Sequence, residues 1–283
     1  MGYNFSHISK ICDLIENGFV SKKLSIFDLG SQDLHYKDRA HVLEPVRSLA
    51  KQLGTDSRDA EDRFNEPSGK VPVHKLMADL GVRYVTTDIE PRPDTVITDL
   101  NQPTPVPAIK DIVSSFDIVT NFGTTEHIIN QMYAFQLIHD LARVGGLIWC
   151  HVPLLGMMNH GFVNLTPKFW AAWIAHNKYE VIHSQISYAG MSVAENPNHF
   201  YDSLNQIGEY DLSNIINATL NIIVRKRNDN LFVPPMDIPL PALSSADVER
   251  IYGGSLQSLY PDAEVEKRTI TLRDFLKRRG FGS

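Results

Sequence analysis

Asp28-Leu29-Gly30-Ser31 closes a short apolar run and places a glycine at a tight turn, where backbone can approach a ligand closely. Further along, Asp88 closes a second such run. A carboxylate at a strand end can accept two hydrogen bonds from ribose hydroxyls, as in dinucleotide-binding folds. Asp99-Leu100 follows in the next loop, where the acid could take the exocyclic amine of an adenine and the leucine could pack on its ring. Two segments carry histidines suited to removing a proton: Thr124-Thr125-Glu126-His127 and Asn159-His160-Gly161-Phe162-Val163-Asn164. His127 and His160 are therefore the catalytic candidates. His127 could equally cap the helix after it, and His160 could brace its own loop. Glu126 could join a divalent metal site, but no second carboxylate lies near it in the sequence, so no metal is expected. A pyrophosphate cofactor needs three glycines in the first turn, and only Gly30 is there.

The elements that must position these residues follow from apolar periodicity. Ile8, Ile11, Leu14, Ile15 and Phe19 have helical spacing, and Leu24 to Gly30 reads as a buried strand. A helix is expected over 40–53. The polar stretch 54–70 has too few apolar groups to anchor it and reads as a mobile loop or insertion. A helix over 73–80 precedes a strand at 83–88, and the prolines between Pro91 and Pro107 mark a loop. Further strands are expected at 116–121, 147–152, 180–186 and 218–225, with helices near 130–143 and 167–177. Trp170 and Trp173 are expected in the core. Strands alternating with helices mean an α/β fold with a doubly wound, mostly parallel sheet. No helix pattern separates the last two strands, so they are expected to form an antiparallel edge hairpin.

The long segment 188–214 holds Met191, Asn196, His199, Phe200 and Tyr201, and is expected to wall an acceptor pocket. Residues 228–283 open on a proline cluster and carry helical patterns near 245–252 and 271–279. They read as an extension of a 1–227 domain, packed on that core or on a second subunit, which leaves a homodimer open. The formal net charge of -6 argues against bulk electrostatic binding of nucleic acid, and the basic run from Lys267 to Arg279 reads as a solvated helix face. Cys12 and Cys150 show no metal spacing. Without a signal peptide or membrane span, a reduced, cytoplasmic protein is expected.

The succession FDLGS, TTDIE, ITDLNQ, FDIVTNFGTTEHI and LARVGGLIWCHVP resembles the ordered motifs of class I S-adenosylmethionine-dependent methyltransferases, over roughly residues 24–225. Each piece is common alone; five in order are hard to obtain by chance. The resemblance implies a Rossmann-like sheet of seven strands. It implies the methionine portion of the cofactor over Asp28, Gly30, Ser31 and Gln32, the ribose on Asp88 beside Ile89, and the adenine near Asp99 and Leu100. Asn121, Phe122 and the residues after them would line the methyl-donor pocket. The Asn-His-Gly stretch resembles that of bacterial enzymes acting on sugars or secondary metabolites, so a small-molecule O or N acceptor is expected. One departure is that Gln32 and Asp33 stand where the family carries small residues. Gln32 could cap a helix or bond the cofactor's amino-acid end. The alternatives are a catalytically inactive cofactor-binding protein of the same fold, or a methyltransferase acting on a macromolecule. The long spacing between the first two strands would lay the 54–70 insertion over the pocket.

Overall fold

The computed structural model describes residues 2–92, 95–103, 107–157, 159–188, 191–192 and 217–236. Most of the 188–214 segment, including Asn196, His199, Phe200 and Tyr201, lies outside the described residues. So does the extension beyond residue 236 with its expected helices and basic run.

The sheet is built outward from β1 (Ser25–Leu29), whose five residues are all buried. It pairs in parallel with β4 (Arg83–Asp88) on one side and β6 (Phe116–Asn121) on the other. Beyond β4 lies β5 (Thr95–Ile97), a short parallel strand within the proline-rich loop. Beyond β6 lies β7 (Ala142–Gly156), which extends past the expected strand at both ends. Then come β10 (Asn217–Arg225), β8 (Glu180–Tyr188) and the two-residue β9 (Met191–Ser192), all joined antiparallel. The order is β5-β4-β1-β6-β7-β10-β8-β9. This is the expected Rossmann-like, mostly parallel sheet, with β10 inserted between β7 and β8 and β9 as a small addition at the margin. Strand order reverses at β1, and in open α/β sheets the crevice at the carboxyl ends beside such a switch point takes the ligand.

Helix α1 (Phe5–Glu16) starts with a reciprocal cap. Asn4 Oδ1 accepts from the Ser6 and His7 N–H groups, and the Asn4 N–H donates to His7 Nδ1 at 3.0 Å. His7 therefore carries its proton on Nε2, which donates to His151 Nδ1 at 2.9 Å; His151 Nε2 in turn donates to Thr219 Oγ1 at 3.3 Å. Burial pushes His7 down to about 3 and His151 down to about 4, so this chain of imidazoles is neutral at pH 7. His7 also stacks on Phe122, with ring centroids 4.3 Å apart. The start of α1 is thus stitched to the sheet beside the carboxyl ends of its strands. His151, partly exposed on β7, has both ring nitrogens hydrogen-bonded.

Helix α2 (Arg39–Leu53) is capped by Asp38 and stops at Gly54, whose φ is +75°. The following stretch corrects the expectation of an unanchored insertion. It contains α3 (Arg58–Asp62) and β3 (Gly69–Pro72), which pairs with β2 (Asp33–Tyr36) in a separate two-stranded sheet. Ala60 and Phe64, four residues apart, are fully buried. Glu61 pairs with Arg47 at 2.8 Å, and Arg63 forms a two-pronged ion pair with Asp79 of α4 (Val73–Asp79). One apolar face and two arginine pairs suffice to hold a stretch that composition alone marks as loose.

Helices α5 (Gln131–Leu141) and α6 (Pro167–Asn177) pack through Phe135, Phe169, Trp170 and Trp173. Both tryptophans are fully buried, as expected. Cys12 and Cys150 are free and buried, and burial pushes the Cys150 thiol up to about 12, which leaves it inert. Among the described residues no helix is long and apolar enough to cross a membrane.

Candidate active site

At the carboxyl ends of β1, β4 and β6 lies a cleft of about 370 Å³, lined by the turns after each strand. Gly30, Ser31, Gln32, Asp88, Ile89, Asp99, Leu100 and His127 all line it. Gly30 has a φ of +84°, donates its N–H to Thr87 O at 2.9 Å, and lies so close to Thr124 that an added Cβ would stand 2.6 Å from Thr124 Oγ1. Thr124 Oγ1 donates to Leu29 O at 2.5 Å. Here the glycine is required both by backbone conformation and by space.

Asp88 holds this turn. Its Oδ2 accepts from the Ser31 N–H at 3.0 Å and its Oδ1 from the Glu90 N–H at 3.1 Å. Each carboxylate oxygen keeps a second lone pair, so the group is oriented yet still able to accept from a ligand. Asp99 is more occupied: it accepts from Gln102 Nε2, the Asn101 N–H and Asn101 Nδ2. Those bonds, the Gln102 amide first, hold its carboxyl below the usual range. Ile89 stands 65% exposed at the rim, while Leu100 is buried beneath. Gln32 lies across the first turn, its side chain beside Gly30 on one side and Gly2 on the other. It caps no helix, because β1 runs on into β2 and α2 begins only at Arg39.

Three residues expected here are placed elsewhere. Asp28 is fully buried, with Tyr84 Oη at 2.5 Å and Thr120 Oγ1 at 2.6 Å, because β1 is covered on both faces and this position points inward. Asn121 is also fully buried and builds the next turn: its Oδ1 accepts from the Thr124 and Thr125 N–H groups, and its Nδ2 donates to Thr125 Oγ1. Phe122 turns into the core against Tyr3, His7 and Trp149. The residues just after it, Gly123 and Thr124, reach the cleft instead. None of residues 54–70 lines it, so the insertion is not a cover over this cleft.

Burial raises the Asp28 carboxyl to about 8, so it is protonated at neutral pH. Its folded value lies above its unfolded value. The stabilisation is complete below about pH 4 and drains away as the pH rises through about 8. Across pH 5 to 8 the native stability should fall, relative to Asp28→Asn, by roughly 1 kcal/mol per pH unit. Denaturant titrations of both proteins at several pH values measure that difference, and parallel curves would contradict it.

A second group of residues stands beside the cleft. Glu126 is 4% exposed, and neither of its carboxylate oxygens accepts a hydrogen bond. His160 Nε2 lies 3.3 Å from Glu126 Oε1, and the rings of His127 and His160 meet edge to face with centroids 5.1 Å apart. Ligand atoms of all three residues fall within 4.8 Å of one another. The Glu126 backbone organises this meeting. Its carbonyl accepts from the N–H groups of Phe162 at 2.7 Å and Val163 at 3.1 Å. Gly161 packs so tightly on Glu126 that a Cβ there would stand 2.8 Å from the Glu126 carbonyl oxygen. The two catalytic candidates thus come together although they follow different strands. Gly123 and Thr124 line the cleft as the residues expected after Phe122, whereas Glu126 as the histidines' partner and Thr87, Thr98, Asn101 and Ile128 in the cleft wall are not among the expected site residues. The TTEHI and NHG segments were a usable signal for Glu126.

No protein-family model and no curated protein matches the chain. Among solved structures it is similar to the MccD protein, at 14% identity over 79% of this chain and 100% of that one, with a TM-score of 0.40. It is also similar to geranyl diphosphate methyltransferase in complex with SAM, at 9% identity over 78% and 84% of the two chains and a TM-score of 0.41. A third is the 1,6-didemethyltoxoflavin-N1-methyltransferase of Burkholderia thailandensis, at 11% identity over 79% and 78% and a TM-score of 0.40. Likeness at this level is silent on activity.

Proposed function

We propose that this chain transfers a methyl group from S-adenosylmethionine to an oxygen or nitrogen atom of a small molecule. The observation that carries the reading is the convergence of the Gly30 turn, Asp88 and the Asp99–Leu100 turn on one cleft at the switch point of the sheet. Asp88 suits the two ribose hydroxyls, Ile89 and Leu100 offer apolar surface to the adenine, and the Gly30–Ser31 turn meets the amino-acid end. The chemistry favours a sulfonium over a diphosphate. Two carboxylates face the cleft, and β1 leads into a strand, so no helix N-terminus stands behind Gly30 to receive phosphate.

His127 and His160 stand at the acceptor end, where a hydroxyl or ammonium acceptor must give up its proton. The net charge of -6 supports a small acceptor, such as a sugar or a secondary-metabolite or surface-glycan intermediate, over nucleic acid. A soluble cytoplasmic enzyme completes the reading. Calorimetry with S-adenosylhomocysteine tests it: one site per chain is expected, unaffected by NAD. A chain that bound NAD and ignored S-adenosylhomocysteine would reverse the assignment.

A further inference from the structure

We infer that Glu126, His127 and His160 form a binding site for a divalent first-row transition metal ion. Glu126 is the centre of the case. Its carboxyl group is buried and both of its oxygens lack a hydrogen-bond donor, so a bound cation would supply the partner they lack.

The donor set fits such an ion. Two neutral imidazoles and one carboxylate suit zinc, iron, cobalt or nickel, whereas magnesium and calcium prefer all-oxygen sites. Metal–nitrogen and metal–oxygen bonds of about 2.0–2.2 Å put neighbouring ligand atoms roughly 3 Å apart. Here they lie within 4.8 Å, with both histidines on the exposed side of the buried Glu126. The Glu126 carbonyl and the tight Gly161 packing hold the His160 loop at this distance, which is the work expected of a built site.

Three protein ligands leave coordination positions open, and His127 also lines the cleft. The consequence for substrate class rests on the methyl-transfer reading above. The ion would take an acceptor hydroxyl as a further ligand and acidify it, so that its proton leaves to solvent. The oxygen lone pair then bonds to the methyl carbon, the carbon–sulfur pair stays on sulfur, and S-adenosylhomocysteine leaves. The acceptor is accordingly an alcohol or phenol, not an amine.

The test uses the tag-free full chain, stripped with a chelator and titrated with zinc or cobalt alone. One equivalent at micromolar affinity is expected, with the cobalt absorption of a mixed nitrogen–oxygen site. Glu126→Gln and His127→Ala should each weaken binding at least tenfold, with thermal melting of the unliganded proteins recorded alongside. Should Glu126→Gln fail to fold, the exposed His127→Ala and His160→Ala decide. Less than a fifth of an equivalent, or equal affinity in the variants, overturns the site. Calorimetry with S-adenosylhomocysteine on the same chain separates the two readings: cofactor binding without metal binding sinks only this inference, and the reverse sinks only the methyl-transfer assignment.

Discussion

Replacing Asp88 by alanine is expected to weaken S-adenosylhomocysteine binding by two orders of magnitude or more. Two ribose hydroxyls donating to one carboxylate form charge-assisted bonds of about 1.5–3 kcal/mol each, and about 1.4 kcal/mol corresponds to tenfold in affinity. The same change also strips the Ser31 and Glu90 N–H groups of their acceptor and loosens the turn that carries Gly30. Asp99→Asn is the informative contrast. Asp99 already accepts three bonds from its own turn, so its loss should cost no more than about tenfold. Isothermal titration of both variants measures the ratio. Affinity within threefold of the parent for Asp88→Ala would remove the ribose assignment.

Gly30→Ala should cost about 3 kcal/mol of stability and abolish measurable cofactor binding. A side chain at φ +84° costs roughly 1–2 kcal/mol, and the new Cβ would stand 2.6 Å from Thr124 Oγ1. Relief requires Thr124 to swing away and release Leu29 O, forfeiting about 1 kcal/mol more. For a domain of this size the melting temperature should drop by roughly 6–12 °C. Adding Thr124→Ala to Gly30→Ala removes the clash and leaves the backbone strain. The double variant should therefore be more stable than the sum of the two single losses predicts, and strict additivity would place the penalty elsewhere.

The strands that frame the site were legible because their apolar runs end at polar residues. Asp88 was legible as a cleft residue because it is the last residue of a strand that ends at the carboxyl edge of the sheet. What periodicity does not reveal is which way a strand-end residue points. β1 is buried at every position, so no alternation distinguishes the inward Asp28 from a cleft-facing group. At the end of β6, the hydrophobic drive to bury Phe122 passes the cleft wall on to Gly123 and Thr124. The β2–β3 pair escaped notice because strands of four residues give too short a pattern to read. Glu126 was undervalued for a different reason. Its neighbours in sequence include no second acid, and the histidine that faces it arrives from the loop after β7.

The short stretch from Gly123 to His127 touches both halves of the site. Thr124 braces the Gly30 turn, and two residues later the Glu126 carbonyl grips the loop that carries His160. A shift of this stretch on filling one half is therefore felt by the other, and thermodynamic reciprocity requires each ligand to change the other's affinity by the same factor. Substrate and cofactor should accordingly not bind as strangers: the second to arrive meets a partly set mould. An engineer who reshapes the His160 loop for a new acceptor should expect to retune the cofactor's grip as well.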